Sequence, residues 1–104
     1  MGCRIVFTGP AIADLAEFAR HIAKDNPDAA TRVGLGLIVR AESLAQMPLR
    51  GRIVRERRQG DCREIVWRPY RIIYRVREDQ SLVEVLRFWH GARGTPVIYE
   101  PTED

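Results

Sequence analysis

The stretch YRIIYRVREDQSLVEVLRFWHGAR, residues 70–93, decides how the rest of the chain is read. Two β-type runs flank the polar turn Glu78-Asp79-Gln80-Ser81, and the second run ends in Trp89-His90-Gly91-Ala92-Arg93. Side chains alternate along a strand. In the first run Tyr70, Ile72, Tyr74 and Val76 therefore share one face, and Arg71, Ile73, Arg75 and Arg77 share the other. Antiparallel pairing of the two runs is expected to bury the aromatic–aliphatic row and leave the arginines facing a ligand or partner. In the second run Leu82, Glu84, Leu86 and Phe88 form one alternating set, and Val83, Val85, Arg87 and Trp89 form the other. Both sets are mostly apolar, so the pattern leaves the buried face of this run open.

Working upstream, two more period-two runs precede this hairpin, at residues 52–57 and 62–67. Gly60-Asp61 and Arg68-Pro69 separate the runs, and connections this short imply consecutive antiparallel pairing. Before them the period changes to that of a helix. Ile12, Leu15, Phe18 and Ile22 make a single apolar stripe that predicts a helix over residues 10–25, capped by Thr8 or Gly9 with Pro10 in its first turn. Asp14 and Glu17 are placed toward the positive end of its dipole. Asn26-Pro27-Asp28 starts a second helix, reaching about Ala45, with Val33, Leu37, Ala41 and Leu44 on one face. Gly34 and Gly36 inside it are expected to permit close approach of another element. Residues 3–7 form a first short strand. Pro96 and Pro101 argue against a long terminal helix, and residues 97–99 can add an edge segment. The order β-α-α-β-β-β-β predicts an α+β fold, one domain over residues 1–104, with a helical hairpin covering one face of an antiparallel sheet.

Composition narrows the function classes. The net charge of +3 is unevenly spread: residues 50–94 carry twelve arginines against six acids, while residues 1–49 are balanced. The positive field belongs to the second half, where an acidic partner is expected. No apolar run approaches the roughly 20 residues that span a bilayer, and no basic-then-apolar leader opens the chain, so a cytoplasmic protein without membrane contact is expected. Cys3 and Cys62 read as reduced thiols. No metal-ligand spacing, nucleotide-binding glycine loop or serine elbow is present, and neither metal nor cofactor is expected.

Two signals remain. The arginines of the strands, Arg71, Arg75 and Arg77 with Arg52, Arg55, Arg57, Arg58, Arg63 and Arg87, can neutralise phosphates or dock acidic protein segments; alternatively they make a solvated surface. His90 at a strand exit can act as a general acid or base, or its ring can fix the following turn by a backbone hydrogen bond. His21 reads as a surface residue; Trp67, Tyr70, Tyr74 and Trp89 read as core or cross-strand pairs.

Five motifs in register carry a resemblance: Ala11-x-x-Asp14-Leu15, Asn26-Pro27-x-Ala29-Ala30, Pro48-x-x-Gly51-Arg52, the run from Tyr70 to Val76, and His90-Gly91-Ala92-Arg93. Together, over about residues 4–93, they resemble the RelE/ParE superfamily of toxins from type II toxin–antitoxin modules, closer to the ParE-like, plasmid-stabilisation branch. The resemblance implies neutralisation by a small antitoxin with an acidic C-terminal segment, for which Leu15, Phe18, Ile22, Val33 and Leu37 are candidate contacts. In the ParE-like branch the target is DNA gyrase, trapped on cleaved DNA. In the RelE-like branch it is mRNA, cut on the ribosome. Candidate target contacts are Arg71, Arg75, Arg87, Trp89, His90 and Arg93. If the chain is a nuclease, Arg71 and His90 are the residues it would use. Lysines are missing from the sheet and Tyr99 is the only late tyrosine, which favours the gyrase reading.

Overall fold

Residues 2–56 and 61–98 are described by the computed structural model. In chain order they form β1 (Arg4–Phe7), α1 (Gly9–Ala23), α2 (Pro27–Glu42), a 3-10 turn (Ser43–Ala45), β2 (Arg52–Ile53), β3 (Arg63–Trp67), β4 (Tyr70–Arg77), a 3-10 turn (Glu78–Gln80), β5 (Leu82–His90) and a final 3-10 turn (Gly91–Arg93). The α+β reading holds, with five strands in the order β1-β5-β4-β3-β2. The β2–β3, β3–β4 and β4–β5 pairs are antiparallel, and β1 returns beside β5 in parallel. Among the described residues no helix is long and apolar enough to cross a membrane.

Local chemistry sets the helix starts. The Thr8 hydroxyl accepts the Ala11 N–H, and Asn26 Oδ1 accepts the Ala29 N–H at 3.0 Å, with a proline in the first turn of each helix. The hairpin packs on the sheet through Ala11, Phe18, Leu37 and Ala41 against Tyr70, Ile72, Val85 and Phe88, with Leu15, Ile22 and Val33 packed around them. Next to this core Leu44 meets Tyr74 and Val83. The Tyr74 hydroxyl donates to Pro48 O at 2.7 Å and accepts the Gly51 N–H at 2.9 Å, pinning the loop after α2 to the centre of the sheet.

Close approach explains one helical glycine and not the other. A Cβ at Gly36 would stand 2.5 Å from the Trp67 ring, whereas one at Gly34 would meet nothing within 4 Å.

The sheet is apolar on both faces, contrary to the expectation of one buried row. Ile73 lies on the arginine side, where it packs with Val54, Cys62, Leu86 and Trp89. A β-bulge makes this possible. Ile73 pairs with Arg87 but Tyr74 pairs with Val85, leaving Leu86 as the extra residue of β5. Before the bulge Val83 and Val85 face the helices; after it Phe88 does, while Leu86 and Trp89 face away. β2 is shorter than the expected 52–57 run. Ile98 packs on the second core outside any strand, and Tyr99, Arg57 and Arg58 lie outside the described residues.

Candidate functional site

Arg71, Arg75 and Arg77 do alternate onto the face turned away from the helices, but the face is not an open cationic surface. Arg71 Nε donates to Glu64, and its two terminal nitrogens donate to Glu56 at 3.2 and 3.0 Å. Arg52 Nε reaches the other Glu64 oxygen at 2.8 Å. Arg75 Nε and Nη2, at 3.1 and 3.0 Å, and Arg77 Nε, at 2.9 Å, converge on Glu84 Oε1. Glu64 is only 3% exposed, a buried carboxylate clasped by two guanidinium groups. Hydrogen bonding from Arg71 holds the Glu56 carboxyl below its ordinary range. Glu56, and after it Glu64, hold Arg71 above its usual value. The arginines keep the outward face that alternation gives them, with their charges held by neighbouring glutamates. Strand pairing sets glutamates on β3 and β5 beside them, an arrangement that alternation within β4 alone does not reveal.

The β4–β5 register separates the two residues paired as a nuclease set. Tyr70 stands opposite His90 and Arg71 opposite Trp89, so Arg71 and His90 project from opposite faces of the sheet. His90 Nδ1 accepts the Ala92 N–H at 3.0 Å and caps the final 3-10 turn. The ring stands edge-on to Tyr70 at 5.3 Å. This is the turn-fixing arrangement, observed at the residue where both roles were open.

His90 also lines a cleft of about 330 Å³ with Glu17, Phe18, His21 and Arg93, between α1 and the end of β5. Arg93 extends over the Trp89 ring at 4.8 Å and reaches Glu17 at 3.5 Å. Both histidines of the chain thus converge on one cleft. The sequence signal for His21 was its position one turn after Glu17 on the outer face of α1.

Other candidates are structural. Trp89 is 4% exposed and donates its indole N–H to Gly94 O at 3.0 Å. Arg87 is buried against Asp14, with contacts of 2.7 Å to each carboxylate oxygen. That corrects both its assignment to the accessible face and the reading of Asp14 as a dipole charge. Leu37 and Phe18 are buried, and Leu15, Ile22 and Val33 pack against the same core. The stripe predicted to meet an antitoxin is therefore occupied by the sheet. The outward apolar residues of the hairpin are Ile12, Leu35 and Val39, each more than half exposed.

Among the described residues no cluster of histidine, cysteine and carboxylate side chains could hold a metal ion. What remains is a small sheet domain with a helical hairpin, an arginine face laced with ion pairs and a cleft at the end of its last strand. Known proteins share this architecture. The chain is 38% identical over 91 residues to Toxin RelE2 of Caulobacter vibrioides, covering 86% of this chain and 97% of that protein. The toxin–antitoxin complex RelBE2 of Mycobacterium tuberculosis contains a chain that superposes with a TM-score of 0.59 at 25% identity, covering 86% of this chain and 99% of that one. A chain of the chromosomal ParDE system of P. aeruginosa reaches a TM-score of 0.70 at 20% identity, with coverage of 85% and 95%, a likeness of fold. The family model described as the ParE toxin of the type II toxin–antitoxin system, parDE, matches residues 5–94. The chain belongs to the ParE toxin family, within the RelE/ParE superfamily of type II toxin–antitoxin toxins.

Proposed function

We propose that this toxin arrests growth in the cytoplasm by binding DNA gyrase and trapping its cleaved-DNA complex, and that a cognate antitoxin with an acidic C-terminal segment neutralises it. The observation that carries the gyrase reading is the state of Arg71. Phosphodiester cleavage needs a cation free to hold the pentacoordinate phosphate, with a base and an acid beside it. Arg71 is held by Glu56 and Glu64, and a phosphate approaching it would meet both carboxylates. Glu56, with its depressed pKa, is a weak base. His90 faces the other side of the sheet. An arginine so tied to carboxylates suits protein recognition better than phosphate chemistry. The cleft of Glu17, Phe18, His21, His90 and Arg93 offers the target contact, with Arg93 in reach of a partner and His90 fixing the turn that carries it.

The RelBE2 likeness supports an antitoxin partner. The antitoxin lies over the helical hairpin, where Ile12, Leu35 and Val39 replace the core-facing stripe as its apolar contacts. Purified toxin is expected to inhibit supercoiling by gyrase and to accumulate cleaved DNA. Unimpaired supercoiling, together with mRNA cut at ribosomal sites, overturns this reading.

A further inference from the structure

We infer that the groove between α2 and β3 is a binding site for the phosphodiester backbone of a DNA strand, held by Arg40 and Arg50. The choice of DNA as the source of the phosphates rests on the gyrase reading above; the chemistry of the groove does not. The arginines around the sheet differ in what holds them. Arg52 and Arg71 are tied to Glu64, Arg75 and Arg77 to Glu84, and Arg87 to Asp14. Among the described residues, Arg40, Arg50 and Arg63 are held by neutral groups alone.

Each of these neutral tethers is built from parts distant in the chain. Gly36 leaves room for the Trp67 ring against α2, since a Cβ there would stand 2.5 Å from it. One turn on, Arg40 lies 3.8 Å over that ring and donates Nη1 to Gly36 O at 3.1 Å. Arg50 Nη2 donates to Ser43 Oγ at 2.7 Å, and Ser43 Oγ donates to Arg40 O at 2.6 Å, which joins Arg50 to the end of α2. Arg63 Nη1 donates to Gly51 O at 2.8 Å and Leu49 O at 3.3 Å, the carbonyls on either side of Arg50. Such contacts fix a guanidinium without cancelling its charge, which prepares it for an anion that arrives later.

Arg40 and Arg50 line a groove of about 480 Å³ with Arg52 and Trp67. Its one acid, Glu64, is buried and already clasped by Arg52 and Arg71. Glu42 follows Arg40 by two positions on α2, a spacing at which helical side chains do not face each other. A nucleic-acid strand carries a charge on every residue and meets both arginines whatever its sequence, whereas an acidic peptide needs carboxylates at set positions.

The test measures binding of full-length toxin to a labelled single-stranded oligodeoxynucleotide by fluorescence anisotropy over a series of salt concentrations. Wild type is expected to bind, with affinity falling as salt rises. Each phosphate neutralised on a single strand contributes about 0.7 to the slope of log K against log salt, so Arg40→Ala and Arg50→Ala should each lower the slope by that amount and weaken binding several-fold. Arg20→Ala removes an exposed charge on α1 and should change neither. Arg40→Lys should keep the slope yet bind more weakly than wild type, because it lacks the planar fork that lies over Trp67. Should Arg50→Ala fail to fold, the two Arg40 variants decide the matter. Absence of binding by wild type, or an equal loss in Arg20→Ala and the groove variants, overturns the site. Tighter binding to RNA of the same sequence, or displacement of the oligonucleotide by an equal concentration of a glutamate-rich peptide, overturns DNA as its occupant. A supercoiling assay on the same protein separates the two readings. Toxin that holds DNA through these arginines but leaves gyrase active supports the site and overturns the gyrase reading; toxin that poisons gyrase without holding DNA overturns the site alone.

Discussion

Asp14 and Arg87 form a buried two-pronged ion pair that joins the first helix to the last strand, each carboxylate oxygen 2.7 Å from a guanidinium nitrogen. The pair sits where β1 stops. β1 covers β5 only as far as Val85, after which Thr8 donates its hydroxyl to Val85 O and Leu86 O, and Asp14 Oδ2 accepts the Phe88 N–H at 3.1 Å. Asp14 thus does for β5 what a longer β1 would have done, and Arg87 balances the charge. Removing one member of a buried pair strands the other, at a cost of about 3–5 kcal/mol. Asp14→Ala and Arg87→Ala are each expected to lower urea-unfolding stability by that amount. The double variant should lose less than the sum, a coupling that a double-mutant cycle measures.

The two helical glycines predict opposite signs. Gly34→Ala meets open space and removes a helix-unfavourable residue, so it should stabilise by up to about 1 kcal/mol. Gly36→Ala drives a methyl into Trp67, whose ring is held under Arg40. Overpacking of this kind costs about 1–3 kcal/mol, more than the helix propensity returns. Thermal denaturation of the two variants side by side checks both directions.

Much of this fold was legible because local signals agreed: caps, prolines, apolar stripes and short connections all fell in register. Helix α2 began at the proline after Asn26, and the order of the last four strands followed from the loops, whereas the parallel place of β1 beside β5 did not. The last strand was unreadable for a physical reason. The extra residue Leu86 shifts the alternation midway, so Val83 and Val85 face the helices before it and Phe88 after it. No single period describes such a strand. The site was less legible than the fold, because what an arginine does depends on carboxylates that sequence separation hides. Glu64 lies seven residues from Arg71, and Asp14 lies 73 from Arg87. The outer face of the hairpin was missed because Leu35 and Val39 fall outside the dominant apolar stripe of α2.

Tyr74, together with Tyr70, contributes an alkaline limit of stability. Burial raises its hydroxyl above the ordinary value of 10.0, so the folded protein keeps a proton that the unfolded chain loses. Its contribution is complete below the unfolded pKa and is lost as pH rises through the folded one. Stability should therefore fall above about pH 10. Tyr74→Phe removes its own share of that dependence and not the share of Tyr70, whose hydroxyl is also raised by burial, and it leaves the Gly51 N–H and Pro48 O without their partner. At neutral pH the variant should be less stable by about 1–3 kcal/mol. Urea titrations at neutral and alkaline pH separate the two effects.

His90 distinguishes turn-fixing from catalysis. The ring accepts the Ala92 N–H through Nδ1, a role that an asparagine oxygen can fill at a cap position. His90→Asn should keep growth inhibition within a few-fold of wild type, whereas a proton-transfer role predicts a loss of about 10²–10⁴-fold. His90→Ala, with no acceptor for Ala92, should cost about 1 kcal/mol of stability. It should lower toxicity only as far as it lowers the folded fraction. Growth inhibition after induction, read beside the melting curves of the two variants, gives the answer. Loss of toxicity in a fully folded His90→Asn protein would show that the ring itself reaches the target, through the cleft it shares with His21 and Arg93.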